Sequence, residues 1–293
     1  MRYIVAVSVF LAWVSCGSSG NSTKLFDLPE MQTVSLTPIG HIQNKEISEA
    51  SGLIKSRSYP NVYWTHNDSG GKTRLYALSF DENNDLKIST QIDLKDVKNQ
   101  DWEDISIDQH GNLYVSDTGN NSQGRETMSF YVVSEKSKTG LAKEYKFKYP
   151  DYQKPVKYDN FDCEAMFHFK EKLYLLTKHR DDAKTKLYRF DELKQDVVMA
   201  PEKLYTFDIG GMVTSADMSA KETQLAVLTY NSVWLFKNFK EDKFFSGDVY
   251  FLPISAQQCE AICFDNEEEL IITNEQREVF RLAIHDFIKI EKR

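Results

Sequence analysis

Helical periodicity is almost missing from this chain. No stretch carries apolar residues at three- and four-residue intervals over the length of a packed helix, which sets aside helical and alternating α/β folds. Cysteine is scarce, four in 293 residues, and neither a Cys-x-x-Cys pair nor a histidine-rich spacing is present, so zinc has no ligand set. Basic clusters are missing too. The net charge is −8, and the most lysine-rich stretch, Lys143 to Lys157, is interrupted by Glu144 and Asp151. It reads as a solvated face, and nucleic acid is excluded as a partner. Long apolar runs are confined to the first residues.

Those first residues read as a targeting segment. Met1-Arg2 supplies a positive start, and Tyr3 to Val14 is mostly apolar but too short to remain as a spanning helix. Val14-Ser15-Cys16-Gly17 resembles the bacterial lipoprotein signal, in which the cysteine is lipidated, although Trp13 departs from the usual aliphatic residue. An ordinary secretory signal with an incidental cysteine is the alternative. The expected organisation is a signal peptide at 1–15, a lipid anchor and flexible tether at 16–30, and a folded domain at 31–293. The membrane is then a partner through the N-terminal lipid. The protein is expected in the cell envelope, facing the periplasm, because no acidic residues directly follow Cys16; surface exposure is the alternative. Cys163, Cys259 and Cys263 are an odd set, and Cys259 and Cys263 stand too far apart along a strand to bond comfortably. Buried free thiols are expected.

What is present is a recurring β plan. Aromatics make up 13% of the chain, which suits strands. Four short segments, A to D, recur with A starting at Glu49, Glu103, Glu164, Ser215 and Glu260, about 45 to 60 residues apart. The fifth unit lacks a D segment, and a spare strand, Thr33 to Ile42, stands at the front. Four strands per blade and ring closure resolve both facts: the N-terminal strand completes the last blade. The fold expected is all-β, a five-bladed β-propeller. Six blades are the alternative if Ser134 to Tyr158 holds a further strand pair, and a β-sandwich or barrel explains the alternation but not the repeated A-to-B signature.

In such a ring, the start of A and the end of B lie on one face. The expected mouth is Glu49, Glu103, Glu164, Ser215 with Asp217, and Glu260; separately, Asp101, Glu103 and Asp104 form a carboxylate cluster that opens a β segment. Carboxylates crowded this way need raised pKa values or a cation. Oxygen-only donors suit a hard ion, Ca²⁺. The competing reading has the ring accept backbone N–H groups of neighbouring A strands and hold the blades in register. The ends of B bring Asn67, Asp68, Asn120, Asn121, Lys178, Arg180 and Arg277, with Arg125 nearby, as candidates to bind a small polar or anionic ligand. His66, Asp117 and His179 are the catalytic candidates. In the Asp-[Ser/Thr]-Gly turns at 68–70 and 117–119, glycine is expected to supply φ > 0.

The signatures EASGL, THNDSGG, DWEDIS, GNLYVSDTGNN, VTSADMS and CEAICFD resemble bacterial extracytoplasmic β-propeller lipoproteins, over most of residues 33–283. More distantly, the unit is similar to NHL-type and gluconolactonase-like propellers, and the acidic mouth with one serine to calcium-dependent apyrases. The resemblance implies a central metal and a top-face site. Because propellers host many functions on one frame, three readings follow. One is an envelope lipoprotein that binds a divalent cation and a small polar or anionic ligand. The second is a metal-dependent hydrolase of a phosphoester, lactone or glycoside. The third is a protein-interaction scaffold, whose partner the sequence does not name.

Overall fold

The computed structural model describes residues 28, 31–153 and 161–291; the signal segment, Cys16 and the tether Gly17 to Thr23 lie outside the described residues. Five sheets form a five-bladed propeller. From the axis outward, blade 1 is Ala50–Lys55, Val62–Asn67, Arg74–Phe80 and Leu86–Asp93. Blade 2 is Trp102–Ile107, Asn112–Asp117, Met128–Ser134 and Lys143–Phe147, with Val198–Met199 added in parallel outside. Blade 3 is Asp162–Phe169, Lys172–Lys178, Lys184–Phe190 and Glu202–Asp208. Blade 4 is Val213–Met218, Gln224–Thr229, Ser232–Lys237 and Asp248–Ser255. Blade 5 is Cys259–Asn266, Glu269–Asn274 and Glu278–Ala283, completed by Gly40–His41. Between 134 and 153, the described residues hold one strand, the D strand of blade 2, so a sixth blade has no strand pair there.

The strand sequences follow their depth. Strands near the axis are covered on both faces by neighbouring blades and are near-continuously apolar, as in Gln224–Thr229 (QLAVLT), which is buried throughout. Outer strands meet solvent on one face and alternate, as in Lys143–Phe147 (KEYKF). Aromatics fill the gaps between blades. Phe130 and Phe147 of blade 2 meet Phe190 of blade 3 at 5.5 and 5.2 Å, and Phe207 of blade 3 meets Trp234 of blade 4 at 5.8 Å, all edge-on. Edge-on pairs of this kind add about 0.5–1.5 kcal/mol beyond area burial. Cys163, Cys259 and Cys263 are free and buried, as expected.

Ring closure is done by the N-terminal segment, but not as one strand. Val34–Ser35 runs parallel to the outer strand of blade 4, while Gly40–His41 pairs antiparallel with blade 5. Pro38 stands in the break, where a residue without an N–H cannot continue a ladder. Ile42 then bridges to Leu86 of blade 1. One short segment thus touches three blades. A Cβ at Gly40 would lie 1.9 Å from the Asn84 carbonyl oxygen, so only glycine lets the closing strand reach the blade 1 loop. From the other end, Ile288–Ile290 pairs with the outer strand of blade 4.

All five A strands slip register against their B strands near their first residues. The slips fall between Ala50 and Gly52, Trp102 and Ile105, Cys163 and Ala165, Val213 and Ser215, and Cys259 and Ala261. A bulge re-aims the extra side chain. The equivalent extra residues are Ser51, Glu103, Glu164, Thr214 and Glu260. Three of the five expected ring residues therefore hold the bulge position. In blades 1 and 4, the bulge residue is not Glu49 or Ser215 but Ser51 and Thr214, because Glu49 falls two residues before the bulge position and Ser215 one residue after it.

Candidate metal centre at the channel mouth

A cavity of about 420 Å³ opens on the face where B strands end. It is lined by Ser51, Asp68, Glu103, Asn121, Glu164, Lys178, Arg180, Tyr230, Glu260 and Glu275. Two acidic triads meet there: Asp68, Asp101 and Glu103, and then Glu103, Asp162 and Glu164. Within each triad, the candidate ligand oxygens all lie within 4.8 Å of one another. Glu103 belongs to both. It is 6% exposed, and among the described residues no donor or cation reaches its carboxylate. A carboxylate desolvated this way either keeps its proton or is neutralised by a cation. The donor set is all oxygen, which fits a hard divalent cation.

Asp101 and Asp162 were not among the expected metal ligands. The signal for them is visible: Asp101-Trp102-Glu103 and Asp162-Cys163-Glu164 repeat an Asp-x-Glu at the start of A in adjacent blades. Residues two apart on a strand share a face, so each pair presents two carboxylates together. The expected ligand candidates Asp68, Asn121 and Arg180 line the cavity, Asp68 as a member of a triad.

The other expected residues serve the frame. Glu49 is exposed, and its N–H donates to the Asn67 side chain at 3.3 Å; Asn67 in turn donates to the Glu46 carbonyl at 2.7 Å. Asp117 accepts the Asp101 N–H at 3.1 Å and pairs with Arg125 at 2.9 Å, so Arg125 braces the turn rather than reaching for a ligand. Asn120 donates its N–H to Asp162 at 2.7 Å, and its side chain clasps the Arg125 backbone. Arg277 sits in a turn at φ +64° and is not in the cavity lining. His66 is fully buried, edge-on to Trp102 at 5.5 Å, and burial pushes its pKa down to about 4. His179 lies 2.7 Å from Asp182, with its pKa lowered by burial. None of these three catalytic candidates lines the cavity.

Ser215 and Asp217 lie below the mouth and do register work. Ser215 donates to Asp104 at 3.2 Å and accepts the Ile262 N–H, also at 3.2 Å, and Asp217 accepts the Phe264 N–H at 2.8 Å. Asp104 accepts N–H groups of Met166 and Ala216, reaching blades 3 and 4. The two readings of the acidic ring thus describe different layers. The lower carboxylates hold A strands in register; of the upper ones, Asp162 takes the Asn120 N–H and Asp68 the Ser69 N–H, whereas Glu103 faces the cavity with no backbone donor among the described residues.

Burial, then the surrounding carboxylates, pushes the pKa of Glu103 well up. Asp101 is pushed up to about 6 and Glu260 to about 7, each mainly by burial. Across the cavity, Lys178 lies 2.5 Å from Glu164 and 2.8 Å from the Tyr230 hydroxyl, and Arg180 lies 2.7 Å from Asp162. Burial works against the Lys178 ammonium, but Glu164 more than offsets it.

Glycine in DTGNN has a different role from the one expected. Gly70 adopts φ +69°, as a turn glycine does, but Gly119 is not in the left-handed region. Its missing side chain is what matters: a Cβ there would lie 2.1 Å from a Glu103 oxygen and 2.3 Å from the Asp101 carboxylate. Gly119→Ala is expected to push both carboxylates apart, at a cost of about 1–3 kcal/mol in stability. Chemical denaturation against wild type checks it; an unchanged midpoint would show that the carboxylates move freely.

Neither a family model nor a curated protein matches this chain.

Proposed function

We propose that this propeller holds a divalent cation, Ca²⁺ by its donor chemistry, across blades 1 to 3 at the channel mouth, with a small anionic ligand beside it. The observation that carries this reading is the buried Glu103 carboxylate, shared by both triads and met by no donor among the described residues. Asp68, Asp101, Glu103, Asp162 and Glu164 would hold the ion. Once bound, it would supply positive charge to polarise an oxygen of the ligand. Lys178, Arg180 and Asn121 line the ligand's side of the cavity. The Cys16 signal pattern supports an envelope lipoprotein, with the mouth facing the periplasm; radiolabelled fatty acid retained by wild type and lost in Cys16→Ser is the check.

Calorimetric titration of Ca²⁺ into the chelator-treated protein tests the site. Wild type is expected to bind one equivalent, and a Glu103→Gln, Glu164→Gln double variant to lose at least about a hundredfold in affinity, since two charged ligands go at once. Equal weak heats from both proteins would end the metal reading.

One observation favours the hydrolase as a second reading. Glu260 lines the same cavity, belongs to neither triad, and has its pKa pushed up to about 7, where a carboxylate can take a proton from water near neutral pH. Turnover of nitrophenyl phosphates, lactones or glycosides that vanishes in Glu260→Gln while Ca²⁺ binding persists would establish it; no turnover across the panel leaves the binding protein.

A further inference from the structure

We infer that the cation and the ligand bind as a coupled pair, and that the ligand is a multivalent oxyanion of the phosphate class, taken up by Lys178 and Arg180 when the cation displaces them from Glu164 and Asp162. The inference rests on the cation reading above and goes on to name its ligand chemistry.

The geometry is that of an exchange. Two of the three acids in the deeper triad, Asp162 and Glu164, are held by protein cations: Lys178 at 2.5 Å from Glu164, and Arg180 at 2.7 Å from Asp162 and 3.5 Å from Glu164. These positive groups stand where they neutralise the same oxygens a metal ion would need. A divalent cation that takes those oxygens must weaken both pairs. The released charges do not leave the mouth, because each has a second hold on the cavity wall. The Lys178 ammonium bonds the Tyr230 hydroxyl at 2.8 Å and lies 4.6 Å from the centre of its ring. Arg180 bonds the Asn121 side chain. Lys178, Arg180, Tyr230 and Asn121 all line the one cavity.

The charge balance sets the order. Without a cation, the lining carries Asp68, Glu103, Glu164, Glu260 and Glu275 against Lys178 and Arg180, a field that repels anions. With the cation in place, the two positive side chains become available on its open side. A planar fork and a three-donor ammonium aimed into one space match an oxyanion with several acceptor oxygens better than a neutral ligand. Because each ligand changes the other's affinity by the same factor, the coupling is measurable from either side.

The test uses the full chain and inorganic phosphate, with acetate as the monovalent comparator. Free Ca²⁺ is fixed by an ion-selective electrode. Phosphate is expected to tighten Ca²⁺ binding about tenfold or more, and Ca²⁺ to tighten phosphate by the same factor, with acetate giving little. In Lys178→Met and in the more exposed Arg180→Met, the coupling should fall toward unity while Ca²⁺ binds more tightly, since an internal competitor has gone. A merely structural lysine or arginine would instead weaken Ca²⁺ binding on removal. If Ca²⁺ binds wild type but phosphate changes its affinity less than twofold, this inference fails and the metal site stands. If acetate couples as strongly as phosphate, the ligand class is wrong. If Ca²⁺ does not bind at all, the underlying reading fails first. Circular dichroism confirms folding of each variant, and Arg180→Met decides the matter should Lys178→Met unfold.

Discussion

Replacing Asp104 by leucine is expected to cost about 3–5 kcal/mol of stability, since it strands several buried donors at about 1–3 kcal/mol each. The Asp104 carboxylate is fully buried on the axis. One oxygen accepts the Ile105 N–H at 2.9 Å and the Ser215 hydroxyl at 3.2 Å; the other accepts the N–H groups of Met166 at 2.8 Å and Ala216 at 3.4 Å. Burial holds its pKa well above the usual carboxylate range, and these donors offset only part of that rise. One side chain thereby ties blade 2 to blades 3 and 4, and through Ser215 the chain of bonds reaches Ile262 in blade 5. Leucine fills the space but leaves the backbone donors of Met166 and Ala216 without acceptors in a place water does not reach. Asparagine keeps one acceptor oxygen and should fall between. Urea unfolding with the slope checked for constancy is the measurement. A loss under about 1 kcal/mol for the leucine variant would mean that apolar packing between blades alone sets their register.

The second large effect is on pH. In chelator, the protein should lose roughly 1–3 kcal/mol between pH 6.5 and 8, and Ca²⁺ should remove most of that loss. The sign follows from the direction of the shifts. Asp101 is raised to about 6, Glu260 and Asp217 to about 7, and Glu103 well above its ordinary value, in each case first by burial. In the unfolded chain, such carboxyls have lost their protons above about pH 4.5. The fold keeps protons that the unfolded chain gives up, so unfolding releases protons and a rise in pH favours it. Their stabilising contribution is complete at low pH and fades as pH passes the folded values. Below about pH 6.5 the buried imidazoles oppose this. His66 and His168 are pushed down to about 4 by burial, and unfolding lets them take up protons the fold refuses. The two trends offset in the acid range, and the carboxylates act alone above it. Thermal melts from pH 6.5 to 8, with chelator and with Ca²⁺, give the answer. Identical pH profiles in the two conditions would separate the carboxylates from any bound cation.

The propeller was readable because its signals are local. Gln224–Thr229 in blade 4 and Arg74–Phe80 in blade 1 form strands where apolar residues cluster between turn residues in the chain itself. Two-residue alternation outside, apolar runs inside and turn residues between them are properties of neighbours in sequence. The count of strands then left one vacancy and one spare, and closure by the N-terminal segment followed from arithmetic. The candidate site was legible only in part. Glu103, Glu164 and Glu260 were found because glutamate recurs at one place in the repeat. Asp162 repeats the Asp101 position, but aspartate stands there in only two blades of five, so the repeat alone does not mark it.

Sequence by itself determined an all-β chain with five repeats, an acidic face and a cationic minority on the same loops, because pleat, turn and repeat are written in adjacent residues. Tertiary structure alone decided which acids fasten and which are left open. The bulges arise where five strands crowd one axis, and the slip between Ala50 and Gly52 puts Ser51, two residues beyond Glu49, at the wall. Whether a carboxylate meets a backbone N–H from the next blade, as Asp104 does, or meets none, as Glu103 does, depends on how blades distant in the chain are set side by side.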